Sequence, residues 1–218
     1  MRRHDLVTLK KDAVVQSVSC CTTDCAELFV RQWIAEGKAF VNPRQEARLG
    51  NIQLGLAFIQ NGVKHRASLQ ANDEDILRGN PPLELSDCLD MFKREEAIVL
   101  GQLIEKLELK GLSLYVFGSV AWEKITGTSY RTDKSDLDLL CDVATMEDLR
   151  FVTNAFVEAE RALPFCIDGE LRFPNDDCVN WLEGLSALDH PDGMEVLVKG
   201  ESGVYMGTMN SLLEPVHA

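Results

Sequence analysis

Leu114-Tyr115-Val116-Phe117-Gly118-Ser119, followed by Ser135-Asp136-Leu137-Asp138-Leu139-Leu140, is the pair of stretches on which the reading of this chain turns. An apolar run ending in Gly-Ser predicts a buried strand that opens into a helix, here through Val120-Ala121-Trp122. The second stretch sets two acids at alternate positions of a leucine-rich strand. Strand side chains alternate between faces, so Asp136 and Asp138 point the same way, roughly 6–7 Å apart along the chain. Two carboxylates side by side repel unless a cation lies between them, and strands disfavour Asp. Taken alone, a Gly-Ser pair is ordinarily a turn, and Asp-x-Asp an exposed strand face, a loop or a cap. In this order, with strand context on both sides, the two pieces point together to metal-assisted phosphoryl transfer.

Each residue then has an expected role. Asp136 and Asp138 are the candidate metal ligands and catalytic carboxylates, holding two divalent ions expected to be Mg2+. Gly118 lets the backbone approach phosphates, which the following helix amides and the Ser119 hydroxyl would hold. A later strand, Phe165 to Arg172, carries Ile167-Asp168-Gly169-Glu170-Leu171. Asp168 is the preferred third catalytic and metal-binding carboxylate, because it sits in the more apolar run. Glu170 shares its face by parity and stays open as a metal ligand or a salt-bridged strand residue. Arg131 and Lys134, between the two stretches, are candidate phosphate contacts, against the plainer reading of solvated loop charges.

Outward from the site, Leu85, Leu89, Phe92, Ile98, Leu103, Ile104 and Leu107 recur at spacings that predict one long amphipathic helix ending near Lys110-Gly111, with Ser86 as a candidate cap. Met146 to Ala162 is expected to be a helix opened by a Thr145/Asp148 capping box. Asp177 to Leu188 reads as helical, and Met194–Val198 with Val204–Met206 as a closing strand pair. Upstream, Leu54–Ile59 and His65–Leu69 flank Asn61-Gly62, a strong hairpin signal. A short helix is expected near Ala26–Ala35, with Asp24 as its candidate cap. Gly79-Asn80-Pro81-Pro82 breaks the chain. The expected organisation is a small strand-rich domain, residues 1–82, followed by a catalytic domain, residues 83–218.

The chain has 218 residues, 45% hydrophobic and 26% charged, a composition ordinary for a globular protein. No apolar run approaches the ~20 residues that span a bilayer, and the N-terminus lacks a signal-peptide core. Cytoplasmic residence without membrane contact is the expectation. Seven cysteines, most of them single in apolar contexts, fit a reducing compartment. Cys20, Cys21 and Cys25 cluster but lack the downstream Cys/His pair of a zinc site. The net charge of −13 is uneven: residues 1–70 carry ten Lys/Arg against six Asp/Glu, and residues 111–218 carry seven against nineteen. So acidic a second half argues against nucleic acid as a partner, but can bind a triphosphate through divalent ions. The basic first part, with Arg44, Arg48 and Lys64, would suit either an acidic partner protein or a donor's phosphates.

The run Phe117-Gly118-Ser119 … Asp136-Leu137-Asp138 resembles the DNA polymerase beta-like nucleotidyltransferase superfamily. The gap between its halves is longer than is common there and holds Trp122, Gly127, Tyr130 and Arg131. Val116 to Gly127 is similar to one family, the malonate decarboxylase holo-acyl carrier protein synthases or phosphoribosyl-dephospho-CoA transferases. The opening His4-Asp5-Leu6-Val7, Trp33 … Gly37-Lys38-Ala39-Phe40-Val41 … Arg44, Asp168–Leu171 and Val196–Lys199 resemble it too. At Asn42-Pro43-Arg44 the chain departs from the more basic pattern expected, leaving Arg44 as the candidate substrate contact of that segment.

The resemblance implies an α+β fold: a polymerase beta-like nucleotidyltransferase domain, a mixed sheet with flanking helices, after the small strand-rich domain. It implies as donor 2'-(5''-triphosphoribosyl)-3'-dephospho-CoA and as acceptor a serine of the acyl carrier protein subunit of malonate decarboxylase, with diphosphate released. Alternatives stay open: an activator of the citrate lyase carrier protein, a nucleotidyltransferase modifying a small molecule or another protein, or an inactive binding module. Magnesium-dependent diphosphate release separates the enzymes from the module.

Overall fold

Two β-sheets carry the α+β architecture, each in its own unit of the chain. The structure, a computed structural model, describes residues 1–20, 24–45, 50–200 and 203–213, with side chains for 1–16, 27–45, 50–200 and 203–213. The side chains of the Cys20, Cys21 and Cys25 cluster and of Asp24, and the whole of Arg48, lie outside the described residues. One unit is Met1–Pro82 with Ile125–Tyr130; the other is Leu83–Lys124 with Arg131–Ala218.

The first unit contains β1 (Leu6–Leu9), β2 (Val15–Cys20), helix α1 (Asp24–Ala35), β3 (Phe40–Val41), β4 (Asn51–Gln60), β5 (Val63–Asn72) and β6 (Ile76–Asn80). The sheet order is β2-β5-β4-β3-β1-β6. Asn61 and Gly62 take φ of 52° and 75°, the doubly positive backbone of a two-residue hairpin turn, and β4 and β5 pair on either side as expected. From α1, Phe29 stacks on Phe58 with ring centroids 4.7 Å apart, and the Trp33 indole donates to the Ala39 carbonyl at 3.1 Å. Buried Asn42 donates from Nδ2 to the Arg2 carbonyl at 2.8 Å, which ties the start of the chain to the end of β3. Tyr130, returned to this unit by the later segment, is buried, and its hydroxyl donates to the Ala57 carbonyl at 3.1 Å.

The second unit contains β7 (Leu83–Glu84), a 3-10 helix (Leu85–Met91), α2 (Arg94–Glu108), β8 (Leu114–Val116), α3 (opening at Gly118 and ending at Thr126), β9 (Leu137–Asp142), α4 (Met146–Ala162), β10 (Ile167–Arg172), β11 (Cys178–Asn180), α5 (Trp181–Ala187), β12 (Glu195–Lys199), β13 (Val204–Thr208) and α6 (Met209–Leu213). The strands run β13-β12-β11-β10-β9-β8-β7, all antiparallel except the central pair. That pair, β9 and β10, is parallel because α4 crosses between them. Thr145 and Asp148 form the expected box at the start of α4, each side chain accepting the other's main-chain N–H at 3.0–3.1 Å. Leu149, Val152, Ala155 and Phe156 of α4 pack into the same core as Leu137, Leu139, Ile167 and Leu171 of the sheet. Each such Leu, Val or Phe side chain, fully buried, contributes about 1.5–3 kcal/mol.

Three expectations are corrected. The single helix over Leu85–Leu107 is instead a 3-10 turn and α2, separated by Phe92 in extended conformation (φ −110°, ψ 156°). The break has a tertiary cause: Arg131 Nη2 donates to the Met91 carbonyl at 2.7 Å and its guanidinium lies 4.9 Å from the centre of the Phe92 ring. Glu96, rather than Ser86, closes the helix start by accepting the Lys93 N–H at 3.0 Å. The helix expected from Asp177 begins only at Trp181, because Cys178, Val179 and Asn180 pair with β10 and Cys178 and Val179 also with β12. The Asn180 side chain then caps α5 through the Leu182 N–H at 2.9 Å.

Candidate functional site

The edge where β8 ends and β9 and β10 begin gathers the residues expected to matter. Phe117 N donates to the Asp138 carbonyl at 3.1 Å, so the turn after β8 is pinned to the strand carrying the acids. Gly118 then takes φ +61°, a conformation L side chains rarely adopt. A Cβ at this position would overlap the Asp138 carboxylate. Glycine is therefore demanded twice, by the backbone and by the acid beside it. Ser119 follows on the first turn of α3 and is buried.

Asp138 lies on β9 opposite Asp168 of β10 in parallel register. Cross-strand partners in register share a face and sit about 4.8 Å apart at the backbone, so the sheet places the two side by side. Asp136 stands immediately before β9, exposed, two residues from Asp138. Its approach is shaped by a turn in which Thr132 N donates to Ser135 Oγ and Ser135 N to the Thr132 carbonyl, both at 3.0 Å.

Farther along the same face of β9 and β10 the charges are matched. Glu170 is buried and accepts from Lys199 Nζ at 2.6 Å. Asp142 faces Arg172 in register and receives its guanidinium through two hydrogen bonds, one of them 2.9 Å. Asp168 is exposed and accepts an amide hydrogen bond from Asn180 Nδ2 at 3.0 Å. Glu170 and Asp168 therefore have different surroundings despite their shared parity: a half-buried lysine paired with a buried carboxylate for one, an open amide contact for the other. Among the described residues, no group of three or more His, Cys, Asp or Glu side chains is arranged to hold a metal ion.

The basic candidates separate. Arg131 is committed within the second unit: its Nε donates to Glu123 Oε2 at 2.6 Å, its main-chain N to Glu123 Oε1 at 2.7 Å, and its Nη2 to Met91. Lys134 is exposed in the Thr132–Ser135 turn. Arg44 belongs to the other unit, exposed just after β3. Asn180 and Glu123 were not singled out by sequence. An Asn directly before a helix is a legible cap signal for Asn180, whereas nothing local marks Glu123 as a partner of Arg131. Cys141, inside β9, is so buried that its thiol is pushed up to about 12, which removes it from chemistry at neutral pH.

The family described as the phosphoribosyl-dephospho-CoA transferase MdcG N-terminal domain matches residues 2–82, and the C-terminal domain of that description matches residues 84–210. A phosphoribosyl-dephospho-CoA transferase of Xanthomonas euvesicatoria pv. vesicatoria is 35% identical over 183 residues, 83% of this chain and 84% of that one. One from Xanthomonas campestris pv. campestris is 30% identical over 203 residues, covering 92% and 91%. No solved structure matches the chain.

Proposed function

Because this chain belongs to the phosphoribosyl-dephospho-CoA transferase family and is a transferase, we propose that it moves the phosphoribosyl-dephospho-CoA group of a triphosphoribosyl-dephospho-CoA donor onto a serine of the acyl carrier protein subunit of malonate decarboxylase. The serine oxygen attacks the donor phosphorus nearest the ribose. The bond from that phosphorus to the bridging oxygen breaks, diphosphate leaves, and the serine proton passes to a carboxylate or to solvent. The second unit is then a nucleotidyltransferase core, and the reaction runs in the cytoplasm.

The observation that carries this reading is the Asp138–Asp168 register with Gly118 set against Asp138. Oxygen donors on adjoining strands, one of them packed against the bare Gly118 backbone, fit a hard cation such as magnesium. Asp136, Asp138 and Asp168 would hold it, and when bound it supplies charge neutralisation on the phosphates and a more acidic acceptor hydroxyl. The residues of the chain do the rest. The Gly118 backbone admits the phosphates, and the α3 amides and Ser119 offer donors to them. Lys134 and Arg44 are the proposed further phosphate contacts. Arg131 acts at one remove in this reading, by holding the loop between the two motifs. Glu170, already paired with Lys199, supports the acidic strand as its neighbour; Asp168 is the stronger choice for third ligand.

The test uses purified protein, donor, magnesium and apo carrier protein, reading diphosphate release and the mass gained by the carrier. Asp136→Asn and Asp138→Asn are each expected to lower transfer by more than ~10³-fold while the protein still folds. Retained transfer in Asp138→Asn sinks the assignment. Substituting the citrate lyase carrier for the malonate decarboxylase carrier tests the acceptor separately.

A further inference from the structure

Asn180 and Trp181 together grip the three residues around Asp168. The Trp181 indole donates to the Ile167 carbonyl at 2.9 Å. Gly169, on the other side, has no room for a side chain: a Cβ would stand 2.7 Å from Phe156 and 2.9 Å from Trp181. Trp181 and Phe156 are fully buried and meet edge to face at 5.7 Å, so this grip is part of the core. Between the two held residues, the Asp168 carboxylate receives Asn180 Nδ2 at 3.0 Å. The other end of the same amide accepts the Leu182 N–H at 2.9 Å as the cap of α5. An amide has one acceptor end and one donor end. The cap fixes which is which, so the donor end must face Asp168.

We infer that Asn180 is a positioning residue for Asp168, orienting its carboxylate through an amide whose direction is set by the helix cap. This rests on the reading of Asp168 as the third metal-binding carboxylate. Groups that hydrogen-bond to a metal-ligating carboxylate typically change ion affinity by 10–100-fold when removed. The capping role and the orienting role reside on different atoms, so substitutions separate them. Asn180→Ser keeps an acceptor for the cap and takes away the amide NH2 that reaches Asp168, leaving one shorter hydroxyl whose oxygen is engaged at the cap. Asn180→Ala removes both.

The experiment titrates manganese(II), as a paramagnetic probe ion, into the full-length wild type, Asn180→Ser, Asn180→Ala and Asp168→Asn, with melting temperature and carrier transfer measured on the same samples. Asn180→Ser is expected to melt close to the wild type, yet to bind manganese(II) roughly tenfold or more weakly. Asn180→Ala should show the same loss of affinity together with a lower melting temperature. Wild-type affinity in Asn180→Ser, or a loss confined to Asn180→Ala, overturns the orienting role and leaves only a helix cap. If Asp168→Asn itself keeps full affinity and transfer, the assignment of Asp168 fails and this inference falls with it. A defective Asp168→Asn beside an intact Asn180→Ser overturns the role of Asn180 alone.

Discussion

Glu123 accepts both the main-chain N–H and the guanidinium of Arg131, at 2.7 and 2.6 Å, and so ties together two residues eight apart in the chain. They close the neck of the segment that separates the Gly-Ser turn from the acidic strand. Glu123 is only 8% exposed, so its carboxylate is largely shielded from water. Removing one member of a buried pair leaves the other uncompensated, at a cost of several kcal/mol. Glu123→Gln is expected to lower unfolding free energy in urea by about 2–4 kcal/mol. A change under about 0.5 kcal/mol would mean the pair is solvent-screened and structurally idle.

Gly118→Ala tests the close approach to Asp138. The added Cβ needs the space of the carboxylate and imposes a positive φ on an L side chain. We expect transfer to fall by at least ~100-fold with a stability loss of about 1–2 kcal/mol, set by the strained φ. An alanine variant with normal turnover would show that the turn yields without disturbing the acid.

Asp168→Asn and Glu170→Gln are expected to fail differently, although they are neighbours on one strand face. Asp168→Asn should keep its melting temperature and lose transfer. Glu170→Gln should unfold more readily, since the buried carboxylate is lost and the half-buried Lys199 keeps its charge without that partner. The loss expected is about 1–3 kcal/mol in denaturant titration. If Glu170→Gln is stable and inactive, the two roles are exchanged.

Burial governs the thiols. It pushes Cys88 up to about 11 and Cys141 up to about 12, whereas Cys166 is exposed. Alkylation of the native protein at pH 8 should mark Cys166 and spare Cys88 and Cys141, as read by peptide mass spectrometry. The linkage has a definite sign. A thiol whose folded value is raised stabilises the fold fully below its ordinary value near 9 and progressively less as pH rises through 11 and 12. Denaturation midpoints should accordingly fall across that alkaline window. Rapid labelling of Cys141 at pH 8 would contradict its burial.

Parts of both units were legible in sequence where one residue type dictates one backbone. Asn61-Gly62 forces its hairpin, and the Thr145/Asp148 box marks the start of α4. The acidic strand and its apolar neighbour were legible because alternation is local, although β9 begins at Leu137 and leaves Asp136 just outside the strand where it was expected. What periodicity could not see was tertiary. The helical spacing of Leu85 to Leu107 is real, but Arg131 breaks it at Met91 and Phe92 from forty residues away. Cys178–Asn180 looks helical in sequence and is held as a strand by β10. Glu170 and Asp168 are equivalent by parity, and only Lys199 and Asn180, both distant in sequence, tell them apart.

Three peptide links join the two units, at Pro82–Leu83, Lys124–Ile125 and Tyr130–Arg131. A cut at the proline pair therefore does not part them. A fragment beginning at Leu83 would carry Ile125–Tyr130 without the sheet they belong to, exposing the Tyr130 ring and stranding its hydroxyl without the Ala57 carbonyl. Chimeras between relatives face the same condition. Exchanging residues 1–82 alone would graft a foreign seat under a native tyrosine, so a working exchange must carry the six-residue loop along with its host.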